Sequence, residues 1–283
     1  MILVTGSTGN VGRALVAQLA TEGNEVRALV RDPRRAAFDP AVRVVRGDLG
    51  DRRSVEAAMD GVDRVFALTV GVDAVAHDGI LAGAARAFGV RRVVKLSSVA
   101  ARPPLDNSYA HAHAAGEYAF RRACPEWTVL RPSTFMSNAL QWVWAITSSG
   151  AVSRPYGKIP RALVDPRDVA AAAAVTLTTP GHAGQVYELT GPVALNIPEQ
   201  VERIASALGR PVSYVDLAAS TARQAMVDGG MDPSLVDGML ASLSDPDPAR
   251  GGVPTPTVER LTGRPPRTFD AWLADHLHLF RGA

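Results

Sequence analysis

A short apolar strand, Ile2-Leu3-Val4, runs directly into Gly6-Ser7-Thr8-Gly9-Asn10-Val11-Gly12 and then into a helical pattern carrying Val11, Leu15 and Leu19 at spacings of four. Gly6 suits a tight turn, Gly9 lets backbone come close to a pyrophosphate, and Gly12 lets helix and sheet pack. The helix N-terminus then offers unpaired N–H groups and the positive end of its dipole to phosphates. A glycine triplet alone carries little information. Between a first strand and an amphipathic helix, it predicts a dinucleotide cradle formed by Gly6, Thr8, Gly9, Asn10, Val11 and Gly12, with a turn that binds nothing as the alternative.

The rest of the first half repeats the strand-then-helix rhythm. Strands are predicted at 2–5, 25–30, 42–46, 64–68, 92–96 and 128–130. Val55, Ala58 and Met59 mark a helix by the i, i+3, i+4 pattern, and the next two are predicted at 73–88 and 112–123. This alternation predicts an α/β fold, a doubly wound parallel sheet of Rossmann type. Later segments read as helices at 138–147, 168–177, 198–208 and 269–279, with a strand at 186–189. The division that follows is a nucleotide-binding domain over 1–150, which also receives strands from about 160–190, and a smaller C-terminal substrate lobe over 191–283. Within that lobe, Gly229-Gly230 and the prolines at 246, 248, 254 and 256 predict a loop-rich 228–256 segment.

The second strand ends at Arg31. An acid at this place would hold both hydroxyls of an NAD ribose, whereas a guanidinium gives the 2′-phosphate of NADP two parallel charged hydrogen bonds. NADP(H) is therefore expected over NAD(H). The adjacent Asp32, shifted by one residue, and Arg31 as a solvated strand end remain the competing readings. After the third strand, Asp48 and Leu49 are placed to meet an adenine, or Asp48 to cap the next helix.

Composition narrows the partners. The 283 residues carry 30 Lys and Arg against 28 Asp and Glu, a formal net charge of +2. No basic block points to nucleic acid. Cys124 is the sole cysteine, which rules out an internal disulfide and reads as a structural thiol. No apolar run approaches the ~18–20 residues of a membrane span, and the chain opens on a strand without a basic leader, so a cytoplasmic protein is expected. The six histidines show no paired ligand spacing, so no metal is expected. A homo-oligomer is left open.

The stretches Val4–Gly12, Arg27–Pro33, Gly47–Leu49, Val93–Ser98, Trp127–Asn138, Val164–Ala170 and Arg267–Trp272 resemble the NmrA-like branch of the atypical short-chain dehydrogenases. The resemblance implies a nucleotide-binding sheet and a small C-terminal substrate lobe with the ligand cleft between them, and Leu68, Thr69, Pro132, Ser133, Thr134 and Phe135 lining the nicotinamide. It spans quinone, ketone and imine reductases, isomerases and redox-sensing regulators, and so bears on cofactor more than on chemistry.

Short-chain dehydrogenases usually carry a serine after the fifth strand and a Tyr-x-x-x-Lys on the next helix. Here Ser97 and Ser98 follow the strand, with a register open by one residue, and the helix reads Tyr109-Ala-His-Ala-His113 with Glu117 beyond. His113 takes the lysine position and is also counted among the cofactor contacts. With helical spacing Tyr109, His113 and Glu117 share a face, and Glu117 is expected to support a protonated His113. Tyr109 or His113 would then deliver a proton while NADPH supplies hydride; a stacked tyrosine beside a solvated His–Glu pair is the plain alternative. Phe135, Asn138 and Trp142 are candidate substrate contacts, and Trp144 reads as packing between lobes. The expected activity is NADPH-dependent reduction of a quinone, ketone or related conjugated small molecule. A non-catalytic NADP(H) sensor and a cofactor-retaining isomerase or epimerase are the alternatives.

Overall fold

The computed structural model describes residues 1–104 and 107–282. In chain order the strands are β1 (Ile2–Val4), β2 (Val26–Val30), β3 (Arg43–Arg46), β4 (Arg64–Ala67), β5 (Arg92–Leu96), β6 (Glu126–Pro132), β7 (Ala151–Arg154), β8 (Arg161–Ala162), β9 (Gln185–Leu189), β10 (Ala194–Leu195) and β11 (Ser213–Asp216). The helices are α1 (Asn10–Thr21), α2 (Arg52–Ala58), α3 (Ala74–Ala87), α4 (Ser108–Ala123), α5 (Val143–Ser149), α6 (Pro166–Thr178), α7 (Ile197–Leu208), α8 (Ala219–Asp228), α9 (Pro233–Ser244), α10 (Thr257–Thr262) and α11 (Phe269–Phe280).

Seven strands form one sheet in the order β3-β2-β1-β4-β5-β6-β9. The pairs from β3 through to β6 are parallel, with Leu3 opposite both Arg27 and Val65, and Leu96 opposite Leu130. Every residue of β1, β2 and β5 is buried. Parallel strands covered on both faces are mostly apolar rather than alternating, and Arg27, Arg92 and Lys95 are charged exceptions buried within them. The chain moves outward from β1 to β3 and then returns to the other side of β1 at β4. That reversal is the switch point where doubly wound sheets bind ligands beyond the carboxyl ends of their strands.

Two compact units result, and both draw on segments from either side of residue 150. The first comprises 1–101, 111–131 and 166–187; the second comprises 102–110, 132–165 and 188–283. Leu3, Met59, Val65, Leu81, Val93, Phe120 and Cys124 lie in the core of the first unit. The second has its own core around Met136, Trp142, Ile146, Ile204, Trp272 and Phe280. Its two small sheets pair β8 with β10 and β7 with β11.

Two sequence expectations need correction here. The segment predicted to be loop-rich, 228–256, contains the three-turn helix α9. Asp232 accepts from the backbone of Ser234 and Leu235, and Pro233 fills the first helical position. A capping residue followed by proline is a helix-start signal, and the flanking glycines and prolines mask it in the sequence. The predicted helix at 138–147 is instead a 3₁₀ segment, Met136–Trp142, followed by α5.

Candidate active site

The cradle is built by close backbone approach. Gly6 has φ 60°, and a Cβ there would lie 2.6 Å from Leu68 Cδ2. A Cβ on Gly12 would lie 2.2 Å from the Gly6 carbonyl oxygen, so turn and helix touch in a way that only glycine allows. Gly9 caps α1 with extended backbone, and no side chain occupies that cap. A helix N-terminus with no side chain over its cap residue fits the pyrophosphate of a dinucleotide. Thr8 and Asn10 are exposed beside it, whereas Val11 is buried. Ser7 Oγ donates to Leu29 O at 2.9 Å and ties the turn to β2.

Leu68, just past β4, is fixed from β1. Thr5 Oγ1 accepts from Leu68 N at 2.8 Å and donates to Leu68 O at 2.9 Å. The ends of β1 and β4, on either side of the switch point, are therefore held as one surface.

Arg31 is exposed at the end of β2. Asp32 is engaged by Arg34, whose Nε and Nη2 donate to its two oxygens at 2.9 and 3.0 Å. Asp48 is exposed, and its carboxylate accepts from Gly50 N at 2.9 Å. The cap of α2 is Asp51, which accepts from Arg53 N, so the capping role expected of Asp48 belongs three residues on. Leu49 is half-buried and packs against the core of the first unit.

Around β5 the two serines separate. Ser97 is buried and donates to Glu117 Oε1 at 2.7 Å. The same carboxylate accepts a bidentate pair from Arg131 at 2.8 Å and a third bond from Arg121 at 2.9 Å. Ser98 is half-buried, and its Oγ accepts from Ala100 N at 3.2 Å. Val99, buried, opens the short 3₁₀ turn that follows.

Helix α4 begins at Ser108, early enough to include Tyr109, His113 and Glu117 on one helix, and both ring residues are half-buried. Glu117 favours a protonated His113 as expected, but its charge is shared by two arginines and it is buried rather than solvated, so that support is outweighed. Burial, with Lys95 adding to it, pushes His113 down to about 4 against the opposing effect of Glu117. The imidazole is neutral at pH 7.

Thr69 Oγ1 donates to Asp78 Oδ1 at 2.9 Å and accepts from Lys95 Nζ at 2.8 Å. Lys95 and Asp78 went unassigned in the sequence. The available signal was a lysine set between Val94 and Leu96 inside a strand and a lone acid midway along an alanine-rich helix.

The remaining candidates belong to the second unit. Pro132 and Ser133 are buried, and Ser133 Oγ donates to Gly251 O at 2.9 Å. Thr134 and Phe135 are half-buried, with Phe135 bridged to Val164. Asn138 is exposed. Trp142 is 6% exposed within the core of this unit, so its indole fills that core rather than walling a pocket. Trp144, expected in packing, is 79% exposed because α5 turns it away from the face that carries Ile146.

A parallel sheet with this cradle at its switch point defines a nicotinamide-dinucleotide-binding Rossmann protein. The family described as NAD(P)H-binding matches over residues 6–180. The chain belongs to that family, within the NmrA-like atypical short-chain dehydrogenases, and is an NAD(P)H-dependent oxidoreductase. It is 41% identical over 282 residues, 99% of each chain, to a (4-alkanoyl-5-oxo-2,5-dihydrofuran-3-yl)methyl phosphate reductase of Streptomyces griseus. It is 37% identical over the whole of both chains to an NAD(P)H azoreductase of Xenophilus azovorans. The structure of an NADPH-dependent quinone oxidoreductase of Escherichia coli, in complex with NADPH, superimposes with TM-score 0.84 at 26% identity, covering 98% of this chain and 100% of that one. No helix among the described residues is long and apolar enough to cross a membrane.

Proposed function

We propose that this chain uses NADPH to reduce an electron-poor conjugated small molecule, a quinone or an unsaturated carbonyl compound. The observation that carries the reading is the pairing of a complete nucleotide cradle with a neutral His113 in place of a helix lysine. A group that protonates only near pH 4 is a poor acid at neutral pH. Acceptors that delocalise the incoming electron pair need the least help from such an acid. Full-length similarity to reductases of a furanone phosphate and of azo compounds supports the same class.

The bound dihydronicotinamide would supply hydride. Gly6, Gly9 and Gly12 admit the pyrophosphate; Arg31, with Arg34 occupying Asp32, gives the 2′-phosphate a cationic end and leaves the ribose no free acid. Tyr109 is the proton-carrying group on the first turn of α4, and His113, one turn on, serves as a neutral hydrogen-bond donor or acceptor. For a quinone the balance is one hydride from the cofactor and one proton, giving the hydroquinone and NADP+.

The test is binding of NADPH and NADH by fluorescence, followed by oxidation rates with quinones, aromatic ketones and butenolides. Turnover with NADPH supports the reading, and Tyr109→Phe or His113→Ala should then lower kcat at least about tenfold. Tight binding without turnover on any acceptor overturns it in favour of a sensor.

A further inference from the structure

Behind the end of β4 lies a buried ion pair that the proposed chemistry does not use. Lys95 and Asp78 are each 2% exposed, and Lys95 Nζ donates to Asp78 Oδ1 at 2.7 Å. Thr69 closes the triangle from the segment after β4, accepting from the lysine and donating to the carboxylate. Three elements of the first unit, β5, α3 and the 68–69 segment, thereby meet at one point. Helix α4 lies directly over it: a Cβ on Gly116 would come within 2.2 Å of Asp78 Oδ2 and 3.2 Å of Lys95 Cε.

A buried ion pair contributes little net stability, and apolar residues of similar volume do as well or better. What this pair supplies is direction. The Thr69 hydroxyl has two partners inside the protein, so the segment is held with that side chain turned inward. The neighbouring Leu68 is held at both backbone groups by Thr5. The height of α4, and with it the place of His113 one turn before Gly116, is set by contact with the same pair.

We propose that Lys95, through Asp78 and Thr69, is a positioning residue for the nicotinamide half of the cofactor. This rests on reading residues 68–69 as the nicotinamide lining. Lys95 touches neither cofactor nor substrate; it acts by fixing the wall against which the ring would lie.

The test compares two ligands, NADPH and the same nucleotide lacking nicotinamide, 2′-phospho-ADP-ribose. Their Kd values are measured for the wild-type chain, for the double variant Lys95→Met/Asp78→Leu, which removes both charges together, and for Thr69→Val. In the double variant, NADPH is expected to bind about tenfold or more weakly while the fragment stays within about twofold; kcat for a quinone falls further than its KM rises. Thr69→Val moves the ratio of the two Kd values in the same direction, and decides alone if the double variant does not fold. A ratio unchanged in every folded variant overturns the proposal. Because the ratio needs no turnover, a chain that reduced no acceptor would sink the proposed reaction and leave this result standing or falling separately.

Discussion

The Ser97 hydroxyl donates to Glu117 Oε1 at 2.7 Å, and that bond joins the end of β5 to the middle of α4. Glu117 is 3% exposed and also holds Arg131 and Arg121. Ser97 therefore gives its proton to an anchor and has none to offer a substrate. Glu117→Ala would leave Arg131, itself 12% exposed, without its carboxylate. Breaking one half of a buried pair costs about 3–5 kcal/mol. In a chain of this size that corresponds to a fall in Tm of roughly 6–20 °C. Thermal unfolding of the variant checks it, and a shift of less than about 2 °C would show the cluster to be dispensable.

Much of this arrangement could be read from the residues, and the reason is local. Gly6 is required by its own positive φ, and Gly9 and Gly12 by their approach to the Gly6 carbonyl, so the cradle shows in a short window. The strands of the sheet are equally plain because burial on both faces leaves unbroken apolar runs such as Val93-Val94. The Ser97–Glu117–Arg131 cluster joins residues up to 34 positions apart, and no spacing rule links them. Glu117 looked like the partner of His113 because four-residue spacing is visible, whereas the bidentate claim of Arg131 is tertiary. Helix α9 was hidden for a related reason: glycine and proline at its flanks outweighed the Asp232-Pro233 start.

The His113 imidazole gives a pH dependence with a definite sign. Its pKa is about 4 in the folded chain, where burial and Lys95 oppose the charge, and 6.5 in an unperturbed chain. Above pH 6.5 the ring is neutral in both states and contributes nothing. As pH falls from 6.5 to 4 the unfolded chain takes up the proton first, so stability is lost across that window and levels off below it. The full effect is at most about 3 kcal/mol. His113→Asn should flatten this part of the curve, measured as urea midpoints between pH 7 and 4; identical slopes in both proteins would contradict it.

Cys124 should be inert. It is 3% exposed in the core of the first unit, and burial pushes its thiol up to about 11. Only the thiolate is nucleophilic, and at pH 7.5 almost none is present. Incubation with iodoacetamide is expected to leave the native chain unmodified over hours while labelling it fully in denaturant. Rapid labelling of the native chain would mean that the core around Phe120 and Ala123 opens readily.

Gly12 offers the sharpest test of the cradle. A methyl group there would need the space 2.2 Å from the Gly6 carbonyl oxygen, where only backbone could give way. Helix α1 would have to lift from the turn, and its N-terminus would move away from the phosphates it holds under the proposed binding. Misplacement of about 1 Å is enough to cost about a hundredfold in a positioned reaction. Gly12→Ala should therefore weaken NADPH binding by at least about tenfold. Gly23→Ala serves as the control: its glycine has φ 78°, and no atom lies within 4 Å of the added Cβ. It strains a surface turn by about 1 kcal/mol and should leave the Kd within about twofold. Equal losses from both variants would mean that general destabilisation, not the cradle, governs binding.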